Sequence, residues 1–147
     1  MENKNLTITI FTGETPTEVF DAINNVAAWW TGEPGVEGKA AKIGDEFTYR
    51  YSDIHYSKQK VIELIPGKKI VSAIVDSELN FIKNKKEWTG TTIIFEIFQA
   101  NSKTGVRFTH EGLAENKECY SACSDAWSSY ITGSLKNFIA KRKMQTS

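Results

Sequence analysis

Residues 117–142, KECYSACSDAWSSYITGSLKNFIAKR, decide the fold of this chain. Apolar side chains recur in this stretch in steps of three and four residues, which is the spacing of one face of an α-helix. The apolar row comprises Tyr120, Cys123, Trp127, Ile131, Leu135 and Phe138, with Ser134 beside it. Ser121, Asp125 and Lys136 fall on the opposite side. We therefore predict a long amphipathic terminal helix, whose apolar face must be covered by another element.

The chain before this helix carries mainly the alternating apolar and polar pattern of β-strands. The predicted strands are Leu6–Phe11, Phe47–Tyr51, a run that ends at Ile65, Ile70–Val75, Thr89–Phe98 and Val106–Glu111. Turn residues such as Ser52-Asp53 and Pro66-Gly67 separate them, and strands joined by short turns pair antiparallel. The prediction is an α+β protein with a curved antiparallel sheet of about six strands wrapped around the terminal helix.

An early helical segment begins after Thr15. Thr15 suits the N-cap, Pro16 suits the first helical position, and Glu18 completes a capping box. Asn24-Asn25 interrupts the apolar spacing that follows. We therefore expect two short helices after the first strand, the second of which ends near Thr31. For the terminal helix, Asn116 is the predicted N-cap.

Two segments are predicted to be connections. Residues 32–44 contain four glycines and lack an apolar period, which predicts a loop. That loop is either a movable gate or an ordinary surface connection. Asp76–Trp88 has mixed composition and is predicted to be a hairpin tip or a longer connection. Its three lysines are flanked by glutamates, which favours a solvated loop over a phosphate site.

Length and charge limit the classes of function. At 147 residues the chain is expected to form a single domain, residues 1–147. Its 18 basic and 18 acidic residues cancel, so no global field attracts nucleic acid. The sequence has neither a long apolar run typical of a membrane span nor the N-terminal pattern of a signal peptide. We therefore expect a cytoplasmic protein.

Cysteine and histidine give no pattern typical of a metal site. Cys119 and Cys123 are one turn apart on the terminal helix, where disulfide geometry is poor, so two reduced thiols are expected. The two histidines, His55 and His110, show no ligand spacing. We therefore expect neither a metal ion nor a cofactor.

Four strings, taken in their order and spacing, resemble a known superfamily. They are Pro16–Ile23 followed by Trp29-Trp30, then Gly44–Phe47, Val61–Gly67, and Thr104–Gly112 joined to Asp125-Ala126-Trp127. The chain resembles the helix-grip superfamily of StAR-related lipid-transfer and birch-pollen-allergen-like domains. Within it, the chain is similar to the group named for the activator of the ninety-kilodalton heat-shock protein ATPase. The resemblance implies a sheet that grips the long helix around a hydrophobic cavity, which in the superfamily holds lipids, sterols, polyketides or plant hormones.

Aromatic residues are the candidates for the lining of such a cavity. They are Trp29, Trp30, Phe47, Tyr49, Phe95, Phe108, Trp127 and Tyr130. For each of them, plain core packing is the alternative. His110 shares a strand face with Phe108, so we expect it to point towards the helix. There it would orient a ligand or act as a general base, unless it is a core-edge histidine bonded to a backbone carbonyl or water.

Three functions agree with these features. The first is binding of a small, mostly apolar ligand in the internal cavity, with His110, Tyr49 and Tyr130 setting its orientation. The second is a stress-related or chaperone-assisting interaction protein that uses the outer face of the sheet. The third is a catalyst of polyketide cyclisation or hydrolysis, which ranks last because no constellation of acid, base and nucleophile is evident. A monomer or weak dimer is expected.

Overall fold

The computed structural model describes residues 5–114 and 117–146, with side chains up to residue 141. Its strands are β1 (Asn5–Thr12), β2 (Pro34–Gly38), β3 (Glu46–Tyr51), β4 (His55–Ile65), β5 (Lys69–Leu79), β6 (Thr92–Ala100) and β7 (Lys103–Ala114). They form one antiparallel sheet in the order β1-β7-β6-β5-β4-β3-β2. Each strand from β2 to β6 therefore pairs with the next one in the chain, as the short turns predict. The α+β class and the antiparallel pairing are confirmed.

Two short helices follow β1, namely α1 (Pro16–Asn24) and α2 (Val26–Trp29). Thr15 Oγ1 accepts a hydrogen bond from the Glu18 backbone N–H at 3.2 Å, and the Glu18 carboxylate accepts one from the Thr15 N–H at 2.9 Å. This reciprocal pair is the predicted capping box, with Pro16 in the first helical position. The break between the two helices lies at Asn25, as predicted.

The sheet has seven strands rather than about six, because part of the predicted loop at residues 32–44 is β2. β2 pairs with β3 from Pro34 opposite Tyr51 to Gly38 opposite Phe47. At Gly38 the φ angle is 108°, and an added Cβ would lie 2.6 Å from the Glu46 carbonyl oxygen. Only glycine fits this close approach. Glycine has a low strand preference, which hid this strand in the sequence.

The terminal helix is confirmed, but it contains a segment that was not predicted. α3 (Tyr120–Ser129) continues into a π-helical segment (Tyr130–Leu135) and then into α4 (Lys136–Thr146). The predicted N-cap, Asn116, lies outside the described residues. Within residues 5–114 and 117–146, no helix is both long and apolar enough to cross a membrane.

The buried side chains of the terminal helix recur at every fourth position. They are Cys119, Cys123, Trp127, Ile131, Leu135 and Ile139. In a regular α-helix, each four-residue step rotates a side chain about 40° past one full turn, so the row would drift by about 200° over this length. The π-helical segment has wider turns, with bonds from residue i to i+5, and therefore rotates less per residue. It opposes the drift and keeps Leu135 and Ile139 facing the sheet.

One core cluster joins the terminal helix to the inner face of the sheet. The sheet contributes Phe47, Val61, Ile70, Ile74, Ile93, Phe95, Val106 and Phe108. The sequence did not decide which face of β5 points inward. Ile70 and Ile74 belong to the core cluster, whereas Val75 is 45% exposed on the opposite face.

The connection between β5 and β6 is fastened to the start of the terminal helix by two carboxylates. Glu87 accepts hydrogen bonds from the backbone N–H groups of Glu118 and Cys119, at 2.9 and 2.8 Å. Glu118 in turn accepts from the backbone N–H groups of Lys83 and Asn84, at 2.9 and 3.0 Å. We call this reciprocal pair, Glu87 and Glu118, the carboxylate clasp. It holds the connection against the helix.

The side chains of Cys119 and Cys123 lie in contact, and their Cα atoms are 5.5 Å apart. Cys119 occupies the N-cap of α3, before the first helical residue, rather than a position inside a regular helix. That both thiols are reduced stays a prediction.

The capping box predicts a measurable contribution to stability. Replacing Thr15→Ala is expected to lower the free energy of unfolding by about 1 kcal/mol, because the Glu18 N–H loses its acceptor. Thr17→Ala is the matched control, since Thr17 is exposed on α1 and alanine is the better helix former. Urea unfolding followed by circular dichroism measures both variants. Equal losses in the two variants would contradict this role of Thr15.

Candidate functional site

An apolar pocket opens between the first half of the terminal helix and one end of the sheet. Its volume is about 190 Å³. The β3–β4 hairpin, the β5–β6 connection, the end of α2 and the helix α3 supply its walls. The lining residues are Trp30, Tyr49, Tyr51, Ile54, His55, Phe81, Trp88, Ala122, Cys123, Ala126, Trp127 and Tyr130. We call this space the outer pocket.

The outer pocket has a buried aromatic floor and an exposed apolar rim. The floor consists of Trp30, Tyr49, Trp88 and Trp127, none more than 3% exposed. The rim consists of Tyr51, Ile54 and Phe81, which are 42%, 46% and 42% exposed. Large apolar side chains exposed around a concave surface are typical of sites where something binds.

The floor is built from two pairs of nearly parallel rings. Trp30 stacks on Tyr49 with ring centroids 4.1 Å apart and planes within 7°. Trp88 lies parallel to Trp127, with centroids 5.8 Å apart and planes within 9°. Trp30 and Trp127 meet at 5.0 Å, which joins the two pairs. The floor therefore presents rigid, flat apolar surfaces.

A chain of hydrogen bonds fixes Trp127 behind this floor. The Trp127 indole N–H donates to His110 Nδ1 at 3.1 Å. His110 must then carry its proton on Nε2, which lies 2.8 Å from Thr91 Oγ1 and donates to it. The Thr91 hydroxyl donates in turn to the Trp88 carbonyl at 2.5 Å. Both ring nitrogens of His110 are thus used within the protein.

Burial keeps His110 uncharged. It is 0% exposed, and desolvation, together with the nearby His55, lowers its pKa to about 3. A neutral ring with both nitrogens bonded has no free lone pair to accept a proton from a ligand. Of the two roles open from the sequence, the geometry matches the satisfied core histidine, with Trp127 and Thr91 as its partners.

His55 and Trp88 differ from His110, because each leaves a buried polar atom unused. His55 Nε2 and Trp88 Nε1 have no hydrogen-bond partner among the described residues. The two rings meet edge to face, with centroids 4.5 Å apart. Burial lowers the pKa of His55 to about 4, so this ring is also neutral near pH 7. Two unsatisfied polar atoms thus belong to side chains that line one pocket.

Two tyrosine hydroxyls close the side of the outer pocket near α2. Tyr49 and Tyr130 hydroxyl oxygens lie 2.9 Å apart, and both are within 3.0 Å of the Thr31 carbonyl oxygen. Burial, reinforced by the Tyr130 contact, raises the pKa of Tyr49 above its ordinary value. Ser134 Oγ donates to the Trp29 carbonyl at 2.6 Å. The end of α2 is therefore fastened to the terminal helix, and the phenols are already satisfied.

A second void lies deeper, between the terminal helix and the middle of the sheet. Its volume is only about 20 Å³, close to the space of one water molecule. Trp29, Phe47 and Phe95 line it. Trp30 and Trp127 line both spaces and so form the wall between them. The middle of the helix–sheet interface is thus nearly filled by its own side chains.

The residues predicted from the sequence fall into three places. Tyr49, Trp127 and Tyr130, with Trp30, line the outer pocket. Trp29, Phe47 and Phe95 line the small inner void. Phe108 and His110 are fully buried behind Trp127, with Phe108 at 4.6 Å from its ring. That any of them binds a ligand stays a prediction.

Sequence reasoning missed several lining residues. Trp88 was assigned to a connection, and His55 was considered only as a metal ligand. The rim residues Ile54 and Phe81 also lie in or next to turns. Trp88 did carry a signal, because a tryptophan inside a polar, lysine-rich connection is out of place unless it is buried.

Among the side chains of residues 5–114 and 117–141, no group of three or more His, Cys, Asp and Glu is placed to hold a metal ion.

A comparison with known protein families identifies the family of this chain. The family described as "Activator of Hsp90 ATPase homolog 1-like protein" matches residues 15–140. The chain belongs to this family. The match includes all of the outer pocket, from Trp30 to Tyr130. A search of the curated proteins found no match.

Solved structures share the fold. The solution structure of the Aha1 dimer from Colwellia psychrerythraea is 24% identical, with a TM-score of 0.71, and the match covers 92% of this chain and 96% of that one. CalU16 from Micromonospora echinospora is 12% identical, with a TM-score of 0.65, over 95% of this chain and 78% of that one. DynU16, from the dynemicin biosynthetic locus, is 10% identical, with a TM-score of 0.68. That match covers 95% of this chain but 48% of DynU16. The helix-grip fold of this family member is confirmed.

The two neutral histidines predict how stability depends on pH. Both pKa values lie below the value of about 6.5 expected in the unfolded chain, so the unfolded state binds more protons as the pH falls. Their contribution is fully present above about pH 6.5. It is lost as the pH falls towards the folded-state values, by up to about 1.4 kcal/mol per pH unit for each histidine.

Urea unfolding between pH 7 and 5 measures this loss, in a range where few carboxylates titrate. His110→Gln is expected to be less stable at pH 7 but to show a shallower pH dependence than the wild type. His55→Gln is the comparison variant, and it should also reduce the slope. A slope in His110→Gln equal to that of the wild type would show that His110 is not held neutral.

Proposed function

We propose that this protein binds a small, mostly apolar molecule in the outer pocket. The supporting observation is the pocket itself, about 190 Å³ in volume, with a buried aromatic floor and an exposed apolar rim. In a binding site of this kind, the apolar lining surrounds the apolar part of the ligand, and a few polar groups fix the orientation of the ligand. This pocket lies at the end of the helix–sheet interface near the β3–β4 hairpin, rather than in the middle of the interface.

Apolar burial would supply most of the affinity. Each 100 Å² of apolar ligand surface removed from water contributes about 2.5 kcal/mol before the costs of immobilisation. The rim residues Ile54 and Phe81 would add contact area when a ligand covers them. The floor needs little rearrangement, because Trp127 is already fixed by its hydrogen bond to His110. A rigid floor lowers the entropic cost of binding.

A pair of helix variants tests the location. Ala126 lines the pocket from an exposed position on α3, so Ala126→Phe should fill the mouth without disturbing the core. Ser121→Phe is the matched control, since Ser121 is exposed on the same helix and is not a lining residue. We expect Ala126→Phe to weaken ligand binding by at least about tenfold, roughly 1.4 kcal/mol. Ser121→Phe should bind like the wild type.

The measurement is titration of ¹⁵N-labelled protein with a panel of fatty acids, sterols and flavonoids. Ligands that bind should shift the signals of Trp127, Tyr130 and Trp88. If no compound shifts these signals, or if Ala126→Phe binds as well as Ser121→Phe, the outer pocket is not the binding site.

Family membership favours a second candidate, a chaperone-assisting interaction. Ile62 and Val75 are 49% and 45% exposed. Each follows a core residue, Val61 or Ile74, so it points to the face of the sheet away from the terminal helix. Exposed apolar side chains of this kind suit a protein partner.

The chaperone hypothesis predicts that the chain stimulates the ATPase of purified Hsp90. A double variant, Ile62→Lys with Val75→Lys, should lose that stimulation while it still binds small ligands. Stimulation of the ATPase by the wild type and the double variant alike would exclude this face, and no stimulation by the wild type would exclude the hypothesis.

A further inference from the structure

We propose that the outer pocket opens for a ligand at the start of the terminal helix, and that the carboxylate clasp is the latch that keeps its mouth closed. This inference rests on the proposed function and concerns how a ligand enters that site. Three observations carry it, namely the two sides of the mouth, the hydrogen bonds that unite one of these sides, and the exposure of the clasp.

The mouth of the outer pocket lies between two sides that belong to different elements. On the sheet side, Tyr51 and Ile54 belong to the β3–β4 hairpin, and Phe81 belongs to the β5–β6 connection. On the helix side, Ala122 and Ala126 line the pocket from exposed positions on α3. The spacing between the two sides therefore sets the width of the mouth.

Hydrogen bonds unite the two segments of the sheet side. The Asn80 backbone N–H donates to the Ile54 carbonyl at 2.9 Å, and the Asn80 side-chain amide donates to the Asp53 carbonyl. Phe81 follows Asn80 directly in the chain. The connection is thus attached to the β3–β4 hairpin just before the residue that reaches the mouth, so the two segments move together.

Two fastenings join this unit to the helix side. The first is the clasp, in which Glu118 and Glu87 exchange hydrogen bonds between the connection and the start of the helix. The second is the hydroxyl pair of Tyr49 on β3 and Tyr130 on the helix, with oxygens 2.9 Å apart. The ten residues of α3, about 15 Å of helix, separate the two fastenings. They therefore hold opposite ends of the mouth.

The clasp is the weaker of these fastenings. Glu118 is exposed, and water competes for the hydrogen bonds of an exposed carboxylate. Tyr49, by contrast, is only 3% exposed. Ile82 packs against the core cluster and resists the separation of the connection, so the clasp acts together with this apolar contact. The mouth therefore opens first at the end that the clasp holds.

Replacing Glu118→Ala removes the acceptor for the Lys83 and Asn84 amides, and its exposed position lets the fold tolerate the change. The probe is N-phenyl-1-naphthylamine, an uncharged dye that fluoresces in apolar surroundings, mixed with the protein by stopped flow. We expect the association and dissociation rate constants both to rise by about two- to fivefold. The Kd should stay within about twofold, because a latch changes the opening equilibrium that both rates share.

Two further variants make the comparison specific. Asp125→Ala removes the same charge from an exposed position on α3 that does not line the pocket, so its rates should equal those of the wild type. Glu118→Gln keeps one acceptor oxygen, so its rates should lie between those of the wild type and Glu118→Ala.

Hydrogen exchange tests the latch without a ligand. The Cys119 amide donates to Glu87, so Glu118→Ala leaves its own acceptor in place. If the clasp opens as one unit, this amide should nevertheless exchange about two- to fivefold faster in Glu118→Ala. The Asn80 amide, which is bonded to the Ile54 carbonyl within the sheet side, should exchange as in the wild type.

The outcomes separate this inference from the proposed function. If the dye binds and Ala126→Phe blocks it, but Glu118→Ala has the rates of Asp125→Ala, the latch is refuted and the binding site stands. The same holds if only dissociation accelerates, since the clasp then supports a wall and does not control entry. If the dye does not bind, the rates are measured with whichever compound of the panel does. If no compound binds in the outer pocket, both proposals fail.

Discussion

The hydrogen bond from Trp127 to His110 is the contact on which the rest of the structure depends. It joins the terminal helix to β7 through two side chains that are buried on all sides, and so fixes the rotation of the helix over the sheet. His110 can accept this bond only while its ring is neutral, with the proton on Nε2. The floor of the outer pocket, the wall to the inner void and the position of Trp88 all follow from where the Trp127 ring lies.

Neutrality is the common property of the polar groups around that contact. His55, His110 and Tyr49 are all held in their uncharged forms by burial. His110 and Tyr49 complete their hydrogen bonds within the protein, whereas His55 and Trp88 do not. His110 and Tyr49 thus bond to groups of the protein and help to position the helix, whereas His55 and Trp88 line the outer pocket with one polar atom each left without a partner among the described residues.

Much of the fold was predictable because it follows from local patterns. Strand alternation, the capping box at Thr15 and the apolar row of the terminal helix each act over a few residues. β2 was missed because its pairing with β3 depends on glycines that approach the neighbouring backbone closely. The π-helical segment was missed because a row spaced by three and four residues fits a regular helix nearly as well.

The candidate site was harder to predict than the fold, because a strand pattern shows which residues point inward but not where along the interface a gap remains. Phe108 and Tyr49 have similar patterns, yet only Tyr49 borders the outer pocket.

The carboxylate clasp has a consequence for how this family member can change over time. Glu118 accepts its hydrogen bonds from the main-chain amides of Lys83 and Asn84. Replacing either residue by an uncharged type other than proline leaves both amide donors in the chain. Mutations at these two positions can therefore accumulate near the entrance without moving Phe81 or Trp88, so the borders of the site can diversify while its interior is preserved.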